Sequence, residues 1–166
     1  MESLVRDCFW GLYRPGALEH LLLRTIRKQD NYLPELEFVL KDGNEIIGQN
    51  IFFPGIIESE EGNYPVLTMG PVCISKKHRR KGYGKLPVEQ TMAIAKSLGY
   101  GGVGIEGDYA FYRNCGFTFA RDFALRYKNL PEGMEDSFFL AVEFIPGYLS
   151  RRGGLYESPY SPLDPE

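Results

Sequence analysis

Residues 76–85 read Lys-Lys-His-Arg-Arg-Lys-Gly-Tyr-Gly-Lys, a basic stretch that carries two glycines. It lies between an apolar strand-like run, Pro65 to Ser75, and an apolar helix-like run, Leu86 to Leu98. A strand, a basic loop with glycines and then a helix make a receptor for a phosphorylated ligand. The first N–H groups of a helix point outward without partners, and the helix dipole favours negative charge there. Gly82 and Gly84 can take positive φ and let a pyrophosphate approach the backbone closely. Lys76, Lys77, Arg79, Arg80, Lys81 and Lys85 supply the counter-charge.

Spacing excludes two common phosphate loops. A P-loop needs a hydroxyl residue after its lysine, and Lys85 is followed by Leu86. A dinucleotide fingerprint needs a third glycine, and Val88 stands in its place. Arg79-x-x-Gly82-x-Gly84 instead resembles the acyl-CoA pyrophosphate loop of the GCN5-related N-acetyltransferase (GNAT) family. Phe111-Tyr112-Arg113-Asn114-Cys115-Gly116-Phe117, further along the chain, is similar to that family's F-Y-x-x-x-G-F segment. The resemblance covers residues from about Leu36 to Phe144.

Composition sets bounds that agree. The chain has 166 residues, 43% of them apolar and 25% charged, which suits one soluble globular domain. A net charge of −3 argues against a general nucleic-acid binder, because the basic loop is a local feature of an otherwise acidic chain. No run is long and apolar enough to span a membrane, and the N-terminus does not read as a secretory signal. Cys8, Cys73 and Cys115 form no disulfide framework, so a cytoplasmic location is expected. His20 and His78 lie far apart in sequence and suggest no metal site.

Residues 2–12 and 16–29 read as helices separated by Arg14-Pro15-Gly16. Leu36 to Lys41 and Glu45 to Phe53 read as a hairpin across Asp42-Gly43-Asn44, followed by a polar connection over 54–64. Val66 to Ile74 is expected to be one central strand. The next helix carries Pro87 in its first turn, where a missing N–H is tolerable. Residues 101–107 read as a strand, 108–114 as a short helix, and 119–127 and 138–145 as the last strands. A domain over 1–146 and a loosely held Pro/Gly/Tyr-rich tail over 147–166 follow.

This order, together with the resemblance, implies an α+β acyl-CoA N-acyltransferase fold, with a mixed, mainly antiparallel sheet flanked by helices. Family members usually begin with a strand ahead of the first helix. This chain begins at or inside that helix, so the first strand is expected to be missing. The strand near 36–41 would then offer an open edge, and self-association as a homodimer is expected.

What the resemblance implies chemically is acetyl transfer from acetyl-CoA to a primary amine, on a small molecule or a protein, by direct attack in a ternary complex. It assigns the backbone of Val72, Cys73 and Ile74 to the pantetheine arm, beside a companion strand at 101–107. It assigns Arg79, Arg80, Lys81, Gly82, Tyr83, Gly84 and Lys85 to the pyrophosphate. It assigns Tyr112 as the acid that protonates the departing thiolate, since a phenol titrating near about 10 is a reasonable donor. A general base is harder to place. Thr68 and Met69 stand where some relatives carry a carboxylate, leaving Glu106 first, then Asp108, Glu35 and Glu37. Cys115 has no nearby histidine and reads as packing rather than as a nucleophile. The alternative reading is a non-catalytic acyl-CoA-binding module. No metal is implied.

Overall fold

Helix α1 (Glu2–Phe9) and helix α2 (Glu19–Ile26) are each apolar along one face, and that face is buried. In the computed structural model, which describes residues 1–12 and 15–160, they belong to the first of two units. The first unit holds Met1–Phe53, Gly70–Ile94 and the chain from Tyr160; the second holds Pro54–Met69 and Ala95–Pro159. Arg14, part of the break expected between the helices, lies outside the described residues.

In the first unit, β1 (Glu37–Asp42) runs antiparallel to the first part of β2 (Glu45–Glu58), with Asp42 opposite Glu45. Gly43 makes the turn at φ +56°. A short strand, β4 (Cys73–Ile74), pairs antiparallel with β2 through Gly48 and Gln49. A Cβ on Gly48 would lie 2.5 Å from Ile74 Cδ1, 3.2 Å from Cys73 O and 3.3 Å from Leu40 Cβ, so a larger residue would crowd this pairing. Val5 and Cys8 of α1, Leu22, Leu23 and Ile26 of α2, Ile51 and Phe53 of β2, and Cys73 form one core. Helix α3 (Lys85–Ser97) starts in this unit with Val88, Thr91 and Met92 buried.

The second unit takes up β2 at Pro54 and adds β3 (Tyr64–Met69), β5 (Gly102–Glu106), β6 (Thr118–Phe119), β7 (Leu125–Tyr127), β8 (Phe139–Glu143) and β9 (Gly154–Tyr156). Their order is β6-β8-β5-β3-β2-β9-β7. The β3–β5 and β7–β9 pairs are parallel, whereas β5–β8, β6–β8 and β2–β9 are antiparallel. The short helix α4 (Tyr109–Tyr112) follows β5. Ile57, Tyr64, Val66, Leu125, Phe139, Ala141, Leu149 and Tyr156 make its core.

Four expectations need correction. The single strand over 66–74 is two, β3 and β4, because Gly70 takes φ +131° and Pro71 has no N–H to continue the ladder. The connection over 54–64 is strand as far as Glu58, and Ile57 is fully buried there. The strand over 119–127 is interrupted by a 3-10 turn, Ala120–Phe123, closed by Ala124 at φ +57°. The segment after Pro146 is not loosely held over its described part. Leu149 and Tyr156 are core residues, and β9 pairs with both β2 and β7. Residues 161–166 of that segment lie outside the described residues. Among the described residues, no helix is long and apolar enough to cross a membrane.

Candidate functional site

The basic loop of the first unit runs from the end of β4 to the start of α3. A 3-10 turn, Lys76–His78, begins it, and the Ser75 hydroxyl meets His78 Nδ1 at 2.6 Å. Gly82 takes φ +82°, and a Cβ placed on it would meet nothing within 4 Å. Arg80, two residues earlier, takes φ +62°. Left-handed residues in such a loop are one way a chain turns neighbouring N–H groups toward an oxyanion. The helix that follows brings its dipole.

The cations of the loop divide into two groups. The Arg79 guanidinium bonds to backbone, donating from Nε to Ile74 O at 3.1 Å and from Nη2 to Cys8 O at 3.0 Å. Arg79 therefore brackets the loop onto β4 and α1. Lys77 reaches Glu45 at 3.2 Å, and Lys85 reaches Glu89 one turn along α3 at 3.3 Å. Lys76, Arg80 and Lys81 are exposed on the loop. Tyr83 is half-buried, with its ring 6.5 Å from that of His78.

Beneath the loop, Cys8 and Cys73 are buried against one another. The hydrogen bond from Cys73 pulls the Cys8 thiol down to about 7; burial opposes this, and Arg79 and Lys76 assist it. The same contact, with burial, pushes the Cys73 thiol up. Nothing in the sequence signalled this pairing, because the two residues meet only through the packing of α1 on β4.

In the second unit, the end of β5 gathers the remaining expected residues. Glu106 is half-buried there, and the Ser158 hydroxyl donates to its Oε1 at 2.7 Å. Burial raises the Glu106 carboxyl above its ordinary value, while contacts from the Ser158 and Tyr127 hydroxyls hold it back. Tyr112 comes to the same place from α4. A Cβ on Gly107 would lie 2.4 Å from the Tyr112 ring at Cε2, so the residue after Glu106 must be glycine for that ring to settle. Phe111 and Phe117 pack edge-on to Tyr112 at 4.8 and 5.7 Å. Gly116 sits at φ +92° to close the turn between them.

The other candidate carboxylates are occupied elsewhere. Asp108 accepts from Ala110 N at 2.9 Å and caps α4. Glu37 is ion-paired with Arg27 and accepts from the Tyr32 hydroxyl at 2.5 Å, in the first unit. Glu35 lies exposed on a 3-10 turn, Pro34–Leu36. Thr68 is buried, with the Tyr156 hydroxyl 3.4 Å from its Oγ1. Cys115 is also buried. Sequence reasoning missed Tyr127 and Ser158, which the strand pairing of β7 with β9 delivers to Glu106.

The acetyltransferase (GNAT) family profile matches residues 4–117. The chain belongs to the acetyltransferase (GNAT) family. No curated protein matches it. Among solved structures, it is similar to the GNAT-family N-acetyltransferase YhbS from Escherichia coli in complex with CoA. That likeness has 25% identity and a TM-score of 0.77, over 94% of this chain and 81% of the other. It is also similar to a GNAT-family acetyltransferase from Brucella melitensis in complex with acetyl-CoA. Here the identity is 18% and the TM-score 0.67, over 87% of this chain and 80% of the other. A likeness to a GCN5-related N-acetyltransferase from Kribbella flavida covers 74% of this chain and 34% of that one, at TM-score 0.55. The fold is the α+β acyl-CoA N-acyltransferase fold that the two motifs implied.

Proposed function

We propose that this protein transfers an acetyl group from acetyl-CoA to a primary amine, by direct attack of the amine on the bound thioester. The observation that carries the reading is the loop of the first unit, in which Gly82 at φ +82° faces open space at the entry to α3. Family membership supports acetyl transfer, and the CoA complex of the E. coli relative supports the donor.

In this reading the backbone of Val72, Cys73 and Ile74 pairs with the pantetheine arm. Residues 79–85 hold the pyrophosphate through backbone N–H groups, with Arg80 and Lys81 adding charge. Acetyl-CoA would supply the activated thioester. The acceptor nitrogen must reach the thioester carbonyl unprotonated, so a base takes its proton, and Glu106 is the carboxylate best suited to do so. Burial leaves that carboxyl more basic than an ordinary glutamate, which suits proton abstraction near neutral pH. The new C–N bond forms as the C–S bond breaks with its electron pair on sulfur. Tyr112 gives its phenolic proton to the thiolate, and the proton that the nitrogen sheds as the amide forms passes to solvent, from which the phenol is restored.

Isothermal titration with acetyl-CoA and with free CoA tests the donor site first. Micromolar binding is the expected result, and a folded protein that binds neither would overturn the proposal. An amine screen that follows thiol release then tests transfer itself. Acetylation of at least one primary amine is expected. The acceptors to try first are polyamines, aminoglycosides and lysine side chains of proteins.

A further inference from the structure

We propose that Ser158 and Tyr127 are positioning residues for Glu106, so that the segment after β8 completes the catalytic end of β5. This rests on the reading of Glu106 as the base.

The geometry is specific. Ser158 is only 8% exposed, and its hydroxyl donates to Glu106 Oε1 at 2.7 Å. The Tyr127 hydroxyl contacts both Glu106 and Ser158, closing a three-membered polar cluster. Each member comes from a different segment, and strand pairing fixes Tyr127 and Glu106. Tyr127 ends β7 opposite Tyr156 of β9, and Lys128 N donates to Tyr156 O at 2.7 Å just beyond. Ser158 lies two residues beyond the end of β9. Glu106 is held by β8, where Phe139 is its register partner.

What surrounds this cluster is aromatic and uncharged. Phe139 stacks on Tyr156 with centroids 4.6 Å apart, and Tyr127 packs against Phe139 at 5.8 Å. Gly104 admits both of the stacked rings, since a Cβ there would lie 3.2 Å from Phe139 and 3.8 Å from Tyr156. From β3 the nearby polar group is Thr68, whose Oγ1 receives the Tyr156 hydroxyl. The charged residues next in the chain pair among themselves. Lys128 bonds Glu58 at 2.8 Å and Glu157 at 3.6 Å. Asp108 caps α4.

A carboxylate among aromatic rings with only hydroxyl partners is a poor stabiliser, because burying the charge costs more than neutral donors return. The same surroundings suit a base. Desolvation raises its proton affinity, and two hydroxyls fix its rotamer and keep the charged form accessible. Hydroxyls from two segments, Tyr127 of β7 and Ser158 beyond β9, act on Glu106.

The test is a pH titration of Glu106 in the intact protein, by NMR with ¹³C-labelled glutamate side chains, the signal assigned with Glu106→Gln. Ser158→Ala and Tyr127→Phe are each expected to raise the Glu106 midpoint, a change in proton affinity of threefold or more. Ser158→Thr keeps the hydroxyl and is expected to leave the midpoint near that of the wild type. If neither Ser158→Ala nor Tyr127→Phe moves the midpoint, the proposal is wrong. Circular dichroism identifies a variant that fails to fold, and the other variant then decides. Failure of the base assignment reads differently. In that case Glu106→Gln would retain full acetyl transfer to an amine the wild type acetylates, while the midpoint shifts would persist.

Discussion

The side-chain amide of Asn50 donates to the Thr91 hydroxyl at 2.8 Å, and both residues are fully buried. The same amide reaches Pro87 O at 3.2 Å, to which the Thr91 hydroxyl donates at 2.7 Å. This three-point bond fastens β2 to the first turns of α3, whose N-terminus follows the basic loop. Loss of a buried hydrogen bond that leaves a partner unpaired costs about 1–3 kcal/mol. Thr91→Val preserves shape and is expected to lower stability within that range in urea denaturation. Asn50→Ala should cost at least as much. Because both remove one linkage, the double variant is expected to lose less than the two singles combined. Strict additivity would mean the two side chains act independently.

Glu143 organises the segment that the sequence made look loose. Its carboxylate accepts from the backbone N–H groups of Gly147, Leu149 and Ser150 at 2.8, 2.7 and 2.8 Å. Burial pushes the carboxyl up, but these donors outweigh it and hold the group below its ordinary value. A carboxyl lowered on folding contributes stability that is present above its unfolded value, about 4.3, and lost as pH falls through the folded one. Glu143→Gln is therefore expected to lower Tm clearly at pH 7 and much less at pH 3. Equal losses at both pH values would show that the charge is not what closes this turn.

Much of the fold was legible because its signals are local. Gly43 in Asp42-Gly43-Asn44 marks a hairpin, and Gly82 between basic residues marks a left-handed turn, each within a few residues of where it acts. The misreadings involve long-range partners. Pro54-Gly55 looks like a break, yet Gly55 lies in β2, where a Cβ would come 2.6 Å from Thr68 Oγ1. The segment after Pro146 is sparse in apolar residues, yet it packs because β5 makes room for it. A Cβ on Gly101 would fall 2.2 Å from the Tyr148 ring, and one on Gly102 would fall 2.9 Å from Leu149 Cδ1. The glycines were visible in Gly101-Gly102-Val103-Gly104; what they accommodate was not. Ser158 reaches Glu106 only through that packing.

Gly82 separates backbone conformation from steric fit. Its φ of +82° strains any L side chain, while the space beyond its Cβ is open. The strain of a left-handed residue is about 1–2 kcal/mol and falls on an exposed loop. Gly82→Val is therefore expected to leave the protein folded, with Tm within a few degrees of the wild type. Its branched side chain would occupy the space proposed for the pyrophosphate. The Kd for CoA is expected to rise tenfold or more by isothermal titration. A Kd unchanged in the folded variant would place the pyrophosphate elsewhere.

Tyr112 offers the sharpest division between binding and chemistry. Its ring is fixed by Phe111, Phe117 and the gap over Gly107, so Tyr112→Phe keeps every packing contact and removes only the hydroxyl. If the hydroxyl protonates the thiolate, its loss acts on bond breaking and not on CoA affinity. General-acid assistance contributes about 10²-fold or more. The expected result is a kcat lower by about that factor, with the Kd for CoA within twofold of wild type. The thiolate would then leave unprotonated, so the variant's rate should depend on the basicity of the acyl donor's leaving group more steeply than the wild type's. Acetyl thioesters of graded thiol pKa measure that slope. Equal slopes in the two proteins, with kcat preserved, would leave Tyr112 a packing residue and assign the proton to water.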